Sequence, residues 1–138
     1  MSQYSKPILA TNELPEQIQP ITRLVEVVDQ KIRFKHTAFK PGVAALQRLV
    51  PIAQGSNNQS SIVALFLLSC HDTFRYSLPL SEFRLLDLKI YLDCMAVMNL
   101  NWSPEKPLHD YLKNGSAVFD ELAIRFNLKT TEQGLGHD

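Results

Sequence analysis

"SNNQSSIVALFLLSC", Ser56 to Cys70, decides how the rest of the chain is read. Ser56 and Gln59 stand at the spacing of a capping box, in which each side chain satisfies a free backbone amide at a helix start. The run that follows is apolar on nearly every face, and a helix of that kind is stable only with neighbours all round. The expectation is therefore a mainly α protein, a compact bundle of four or five helices around a helix at 57–71.

Working outward, "PGVAALQRLVPIAQG" sets Val43, Leu46, Leu49, Val50 and Ala53 on one stripe and ends at Gly55, which suits the left-handed turn that stops helices. That predicts a helix over 42–54, kinked or divided at Pro51, which has no amide hydrogen to give. Downstream, Ser81 is placed to cap a helix over 82–100, "EFRLLDLKIYLDCMAVMNL". There Phe83, Leu86, Ile90, Cys94 and Val97 form one stripe, while Leu85, Leu88, Leu92 and Met95 form a second. So wide an apolar arc is either sandwiched inside the domain or turned toward another protein. A short helix over 106–113 and an amphipathic one over 116–127, carrying Val118, Phe119, Leu122, Ala123 and Phe126, complete the set.

The segment before Pro41 is ambiguous. Ile21, Leu24, Val25, Val28 and Ile32 fit helical spacing, yet "LVEVV" and "KIRFK" alternate about Asp29 and Gln30. Its content of Val, Ile, Phe and Thr favours a β-hairpin over about 22–36. An isolated hairpin is marginal in water, so this one is expected to pack on the helices or join a hairpin from a second chain in a homodimer. As a strand it gathers Lys31, Arg33 and Lys35 on one face, with Lys40 beyond, a basic ribbon able to track phosphates. The plainer reading is an edge strand whose cations discourage aggregation. Residues 1–20, with Pro7, Pro15 and Pro20, read as an N-terminal arm, 21–128 as a single domain, and 129–138 as a tail.

Fourteen basic and fourteen acidic residues cancel among 138, so no global field draws the chain to nucleic acid, an anionic membrane or an acidic substrate. Cys70 and Cys94 each lie in an apolar run and read as small buried hydrophobes in a reducing compartment. With no leader pattern at the N-terminus and no apolar run near the ~18 residues of a membrane span, the expected location is cytoplasmic, with no membrane partner.

Reactive chemistry finds little support in the spacings. "SCHD" sets Cys70, His71 and Asp72 side by side, but successive helical residues point about 100° apart and these three fan out around the axis. His36, His71, His109 and His137 offer no spacing that selects a base, and no Cys or His pair has the C-x-x-C or H-x-x-x-H pattern of a metal site. Asp87 and Asp93, six residues apart, project in different directions, with Lys89 placed to pair with Asp93; Asp110, Asp120 and Glu121 fare no better. A carboxylate buried at Asp93 needs a partner. "QGSNNQSS" lacks the lysine of a phosphate loop. No catalytic residue, metal ligand or cofactor is assigned, and the chain is read as not an enzyme.

From about Val43 to Phe126, "ALQRLVPIAQG", "QSSIVALFLLS", "LPLSEFRLLDLKIYLDCMAVM" and "HDYLKNGSAVFDELAIRF" resemble an uncharacterised family of short bacterial proteins often encoded on plasmids and integrative elements. Such relatives tend to carry Gly where this chain has Asn58, a residue that suits a loop. The resemblance implies no activity, only a bacterial accessory role. The expected function is thus that of a non-enzymatic accessory protein of a mobile element, acting on an unidentified protein partner or by self-association through Leu85, Leu88, Leu92 and Met95. The alternative is a nucleic-acid-binding module using Lys31, Arg33, Lys35 and Lys40.

Overall fold

Helix α1 runs from Gln19 to Ala53, and its length is the first departure from expectation. In the computed structural model, residues 15–136 are described, with side chains described through Asn127; the arm expected over 1–20 therefore lies largely outside the described residues. Residues 22–36 are helical and do not form the expected hairpin. The 3.6-residue spacing of Ile21, Val25, Val28 and Ile32 prevails over the β preference of individual residues, which depends strongly on context. Asp29 and Gln30 also lack the glycine or asparagine that a tight hairpin turn demands. On the helix Asp29 pairs instead with Arg33, one turn on.

The chain divides into two compact units, Met1–His36 and Thr37–Asp138, with the boundary inside the span expected to be one domain. Between 15 and 36 no residue is buried, whereas from Ala38 onward α1 buries Ala38, Gly42, Ala45, Leu46, Leu49 and Ala53. Burial, and with it cooperative packing, starts where the small residues start. Pro41 and Pro51 both lie inside α1, which continues through each. Pro51 falls so near the C-terminus that the helix loses only one hydrogen bond in its last turn.

The larger unit is helical throughout. After α1 come α2 (Asn58–His71), a 3-10 helix (Leu80–Leu85), α3 (Leu88–Asn101), a second 3-10 helix (Leu108–Tyr111) and α4 (Gly115–Gly136); no strand occurs among the described residues. α2 packs against α3, α4 and both 3-10 helices. Its Val63, Ala64, Phe66, Leu67 and Leu68 are buried together with Leu46 and Leu49 of α1, Cys94 and Val97 of α3, and Phe119 and Leu122 of α4. The capping box sits one residue later than expected. Asn57 accepts from the Ser60 amide at 2.9 Å, and the Ser60 hydroxyl accepts from the Asn57 amide at 3.3 Å.

Three further boundaries differ. The helix expected over 82–100 is two elements, separated by Leu86 and Asp87 in extended backbone, so Ser81 lies inside the 3-10 helix and caps nothing. Proline at 104 and at 107 restricts the segment expected to be helical over 106–113, and only four residues, Leu108–Tyr111, make a 3-10 turn. The C-terminal stretch read as a tail is the last part of α4, which extends to Gly136.

Two close approaches explain glycines that the sequence left unread. A Cβ on Gly42 of α1 would stand 2.6 Å from the Leu100 Cβ of α3, and one on Gly115 would stand 1.8 Å from the His109 carbonyl oxygen. Alanine is the better helix former by ~1 kcal/mol, yet Gly42→Ala and Gly115→Ala are each expected to destabilise by about 1–3 kcal/mol through overpacking. Leu67→Ala should cost about 2–5 kcal/mol at the centre of the core. Urea denaturation of the three variants checks the ordering; a stabilised Gly42→Ala would refute the close α1–α3 approach.

Candidate interaction face

The break at Leu86 and Asp87 is pinned from the opposite helix. Gln59, in the first turn of α2, accepts from the Asp87 amide at 2.7 Å and donates its amide to the Asp87 carboxylate at 3.0 Å. Asp87 is the N-cap of α3, but its side chain makes no bond to the α3 backbone because Gln59 engages it. This two-point clasp stops the Leu80–Leu85 turn and restarts the chain as α3 at a new angle. An open groove of about 710 Å³ lies between them.

Phe83 forms part of the groove lining and joins it to the core. Its ring meets Phe66 of α2 edge-on at 5.7 Å and Tyr91 of α3 at 6.1 Å. Leu80, Leu88, Tyr91, Met95 and Met98 supply the rest of the apolar lining, with Leu86 behind and Arg84 as its one cation. Of the residues named from sequence, Leu88 and Met95 line the groove, Met95 half-buried against the core. Leu85 and Leu92 do not line it, although Leu85, Leu88 and Leu92 are 66%, 71% and 54% exposed. Leu80, Tyr91 and Met98 were missed, and Phe83 was assigned to the opposite stripe. Treating 82–100 as one helix carried a single register across a break. The signal that could have placed it is Asp87 directly before "LKI", an N-cap residue at the head of an apolar-periodic run.

Asp93 finds its partner outside its own helix. Arg48 of α1 donates from Nε at 3.1 Å and from Nη2 at 2.8 Å to the two carboxylate oxygens, in place of the i,i+4 pairing expected with Lys89. Asp93 is 8% exposed, and a bidentate guanidinium satisfies both oxygens where one ammonium cannot. The hydrogen bonds to Asp93, and then its charge, raise the Arg48 pKa further.

"SCHD" closes in the same way. Burial pushes the Cys70 thiol up to about 11 and the Cys94 thiol up to about 12, the latter helped by Cys70 and by Asp93. Both are free thiols, protonated at neutral pH. His71 turns to His109, with the two Nδ1 atoms 3.4 Å apart and the His71 ring 4.8 Å from Phe119. His109 Nε2 lies 3.2 Å from the Asp110 carboxylate. Burial, and then the neighbouring His109, lower the His71 pKa below the usual histidine value. Asp72 caps the following turn, accepting from the Arg75 amide at 3.2 Å. Among the described residues no three His, Cys, Asp or Glu side chains form a group suited to a metal ion.

The basic segment loses its common face. On α1, Lys31 and Lys35 point roughly opposite to Arg33 and Lys40, and Arg33 is paired with Asp29. The strand geometry that would have aligned Lys31, Arg33 and Lys35 is absent from the described residues.

A family described as a family of unknown function (DUF7673) matches residues 43–127. No curated protein and no solved structure matches the chain. Among the described residues no helix is long and apolar enough to cross a membrane.

Two expectations follow from these side chains. Arg48→Ala should lower the urea midpoint by leaving a buried carboxylate unpaired, Arg48→Lys should restore part of the loss, and an Arg48→Met/Asp93→Leu double variant should recover most of it. The His71 pKa is lowered in the folded state, so its contribution to stability is present above ~6.5 and is lost as pH falls through the folded value. The cysteines are raised, so theirs is present below the ordinary thiol pKa of ~8.5 and is lost as pH climbs through about 11 and 12. Urea midpoints measured across pH should therefore fall on both flanks of neutrality, and His71→Asn should flatten the acid flank.

Proposed function

We propose, for a chain that belongs to the family of unknown function DUF7673, a non-enzymatic accessory role exercised by docking a partner protein in the groove between the Leu80–Leu85 turn and α3. The resemblance to short bacterial proteins of plasmids and integrative elements sets the proposed context, an accessory of such a mobile element. The observation that carries the reading is Leu88, an apolar residue 71% exposed at the mouth of an open apolar groove. Isolated surface leucines need no explanation, but Leu80, Leu88, Tyr91 and Met98 are exposed together around one concavity.

The chemistry of the lining defines the partner class. Two methionines give a surface that repacks around differently shaped apolar side chains. An amphipathic helix presenting apolar residues at i, i+3, i+4 and i+7 fits such a groove, with an acidic residue to meet Arg84.

A photo-crosslinking residue in place of Leu88, expressed in the cells that encode the protein, should yield a discrete adduct with a second, different protein. The same residue at Ile124, equally apolar and exposed on α4, should not. Leu88→Glu should weaken capture of that partner by at least about tenfold while leaving the urea midpoint unchanged, as expected of a central interface residue. Equal labelling from both positions, or none from Leu88, would end the proposal.

A further inference from the structure

Two histidines far apart in sequence meet at the end of α2. His71 is the last residue of that helix, and His109 belongs to the 3-10 turn Leu108–Tyr111. Their Nδ1 atoms are 3.4 Å apart, longer than the ~2.7–3.2 Å of an ordinary N–H hydrogen bond. The ring centroids are 5.0 Å apart, so with the nitrogens at 3.4 Å the rings meet at an angle rather than end to end. Two nitrogens held by one zinc ion at 2.0–2.1 Å in a tetrahedron stand about 3.3–3.4 Å from each other.

We propose that His71 and His109 bind a borderline divalent transition-metal ion, zinc above all, through their Nδ1 atoms. The surroundings fit a cation. His109 Nε2 lies 3.2 Å from the Asp110 carboxylate; a carboxylate there keeps the proton on Nε2, leaves the Nδ1 lone pair open and orients the ring, as outer-shell carboxylates do for ligating histidines. Burial and then His109 oppose a proton on His71, whereas Asp72 and Asp120 favour positive charge there. The ring is thus kept in the neutral form that binds metals, beside carboxylates that attract a cation. Both histidines line an open cleft of about 470 Å³ with Asn101, Glu105 and Lys106, and the lysine is engaged over the Tyr111 ring at 4.8 Å. His71 is exposed, and rotation about its soft χ2 torsion is enough to aim both lone pairs at one ion.

Imidazole nitrogen suits zinc, copper and nickel and disfavours magnesium and calcium. No third His, Cys, Asp or Glu among the described residues completes the group, so water fills the remaining positions. The ion is therefore exchangeable, unlike one closed in by four side chains. Bound there, it ties the end of α2 to the 3-10 turn against which α4 starts, where Gly115 packs on the His109 carbonyl. No residue of the site lines the groove on α3, so the two inferences stand or fall separately.

The experiment is calorimetric titration of the chelator-treated full chain with zinc, with magnesium as the control ion. Zinc should bind saturably, one ion per chain, and magnesium should not. His71→Asn and His109→Asn should each weaken zinc binding at least about tenfold with helical circular dichroism unchanged, and Asp110→Ala should weaken it about tenfold through the lost outer-shell contact. His36→Asn, far along α1, should leave it within about twofold. Zinc should raise the urea midpoint of the parent chain, because an ion that binds only the folded state stabilises it, and should leave that of His71→Asn unchanged. In nitrogen-15 spectra of the imidazoles, zinc should shift Nδ1 of both rings while Nε2 keeps its proton. No saturable binding overturns the proposal, as does zinc binding that survives either His71→Asn or His109→Asn. Shifts at Nε2 in place of Nδ1 overturn it too.

Discussion

Helix α2 is buried over most of its circumference, and the stripe of Ser61, Leu65 and Ser69 is partly open to water. Val63, Leu67 and Leu68 are all but inaccessible, Ile62, Ala64 and Phe66 nearly so, and together these residues cover about two thirds of the helix circumference. A helix of this composition is stable only with neighbours over most of its surface, so those neighbours are dictated rather than chosen. The C-terminal half of α1, both 3-10 helices, α3 and α4 all contribute to that wall. The close approaches at Gly42 and Gly115 tighten the same layer, because a bulkier side chain there would push α1 from Leu100 and the α4 start from the His109 carbonyl.

Enclosing α2 also shapes what remains outside. Gln59 sits in its first turn and clasps Asp87, so the central helix determines where α3 begins. A helix continuing unbroken from Ser81 would have carried Phe83 and Tyr91 around the axis by a fixed angle. The break lets Phe83 reach back to Phe66 while Tyr91 and Met98 turn outward, and the groove is the space left between two elements that converge on one core contact. Apolar lining without enclosure is the residue of a packing problem solved locally, and it is available to another chain.

How much of this could be read in advance depends on whether the signal was local. The apolar run after Asn57 announced a central helix because no other environment tolerates it, and observed α2, Asn58–His71, shows the burial that such a run demands. Of the interaction face read from the sequence, Leu88 and Met95 lie on α3 and line the groove, whereas Leu92 of the same helix does not. Leu80 could not be placed beside them, since its approach to α3 passes through the Gln59–Asp87 clasp, a contact 28 residues apart in sequence that leaves no periodic trace. The hairpin misreading has a different cause: Val, Ile and Phe in "LVEVVDQKIRFK" fit strand and helix alike, and with no burial between 15 and 36 the core offers no arbiter. Arg48 as the partner of Asp93 was equally out of reach, although the need for some partner was evident from the apolar surroundings.

The polar residues that first suggest chemistry are engaged in holding this arrangement. Asp93 is spent on Arg48, Asp87 on Gln59 and Asp72 on the turn after α2; burial keeps Cys70 and Cys94 protonated, and His71 stacks against His109 and Phe119. Among the described residues the fold also leaves apolar side chains in water, around the groove on α3 and along the stripe of isoleucine and valine on α1. Each leaves hydrocarbon in water at a cost of roughly 25 cal/mol for every Å².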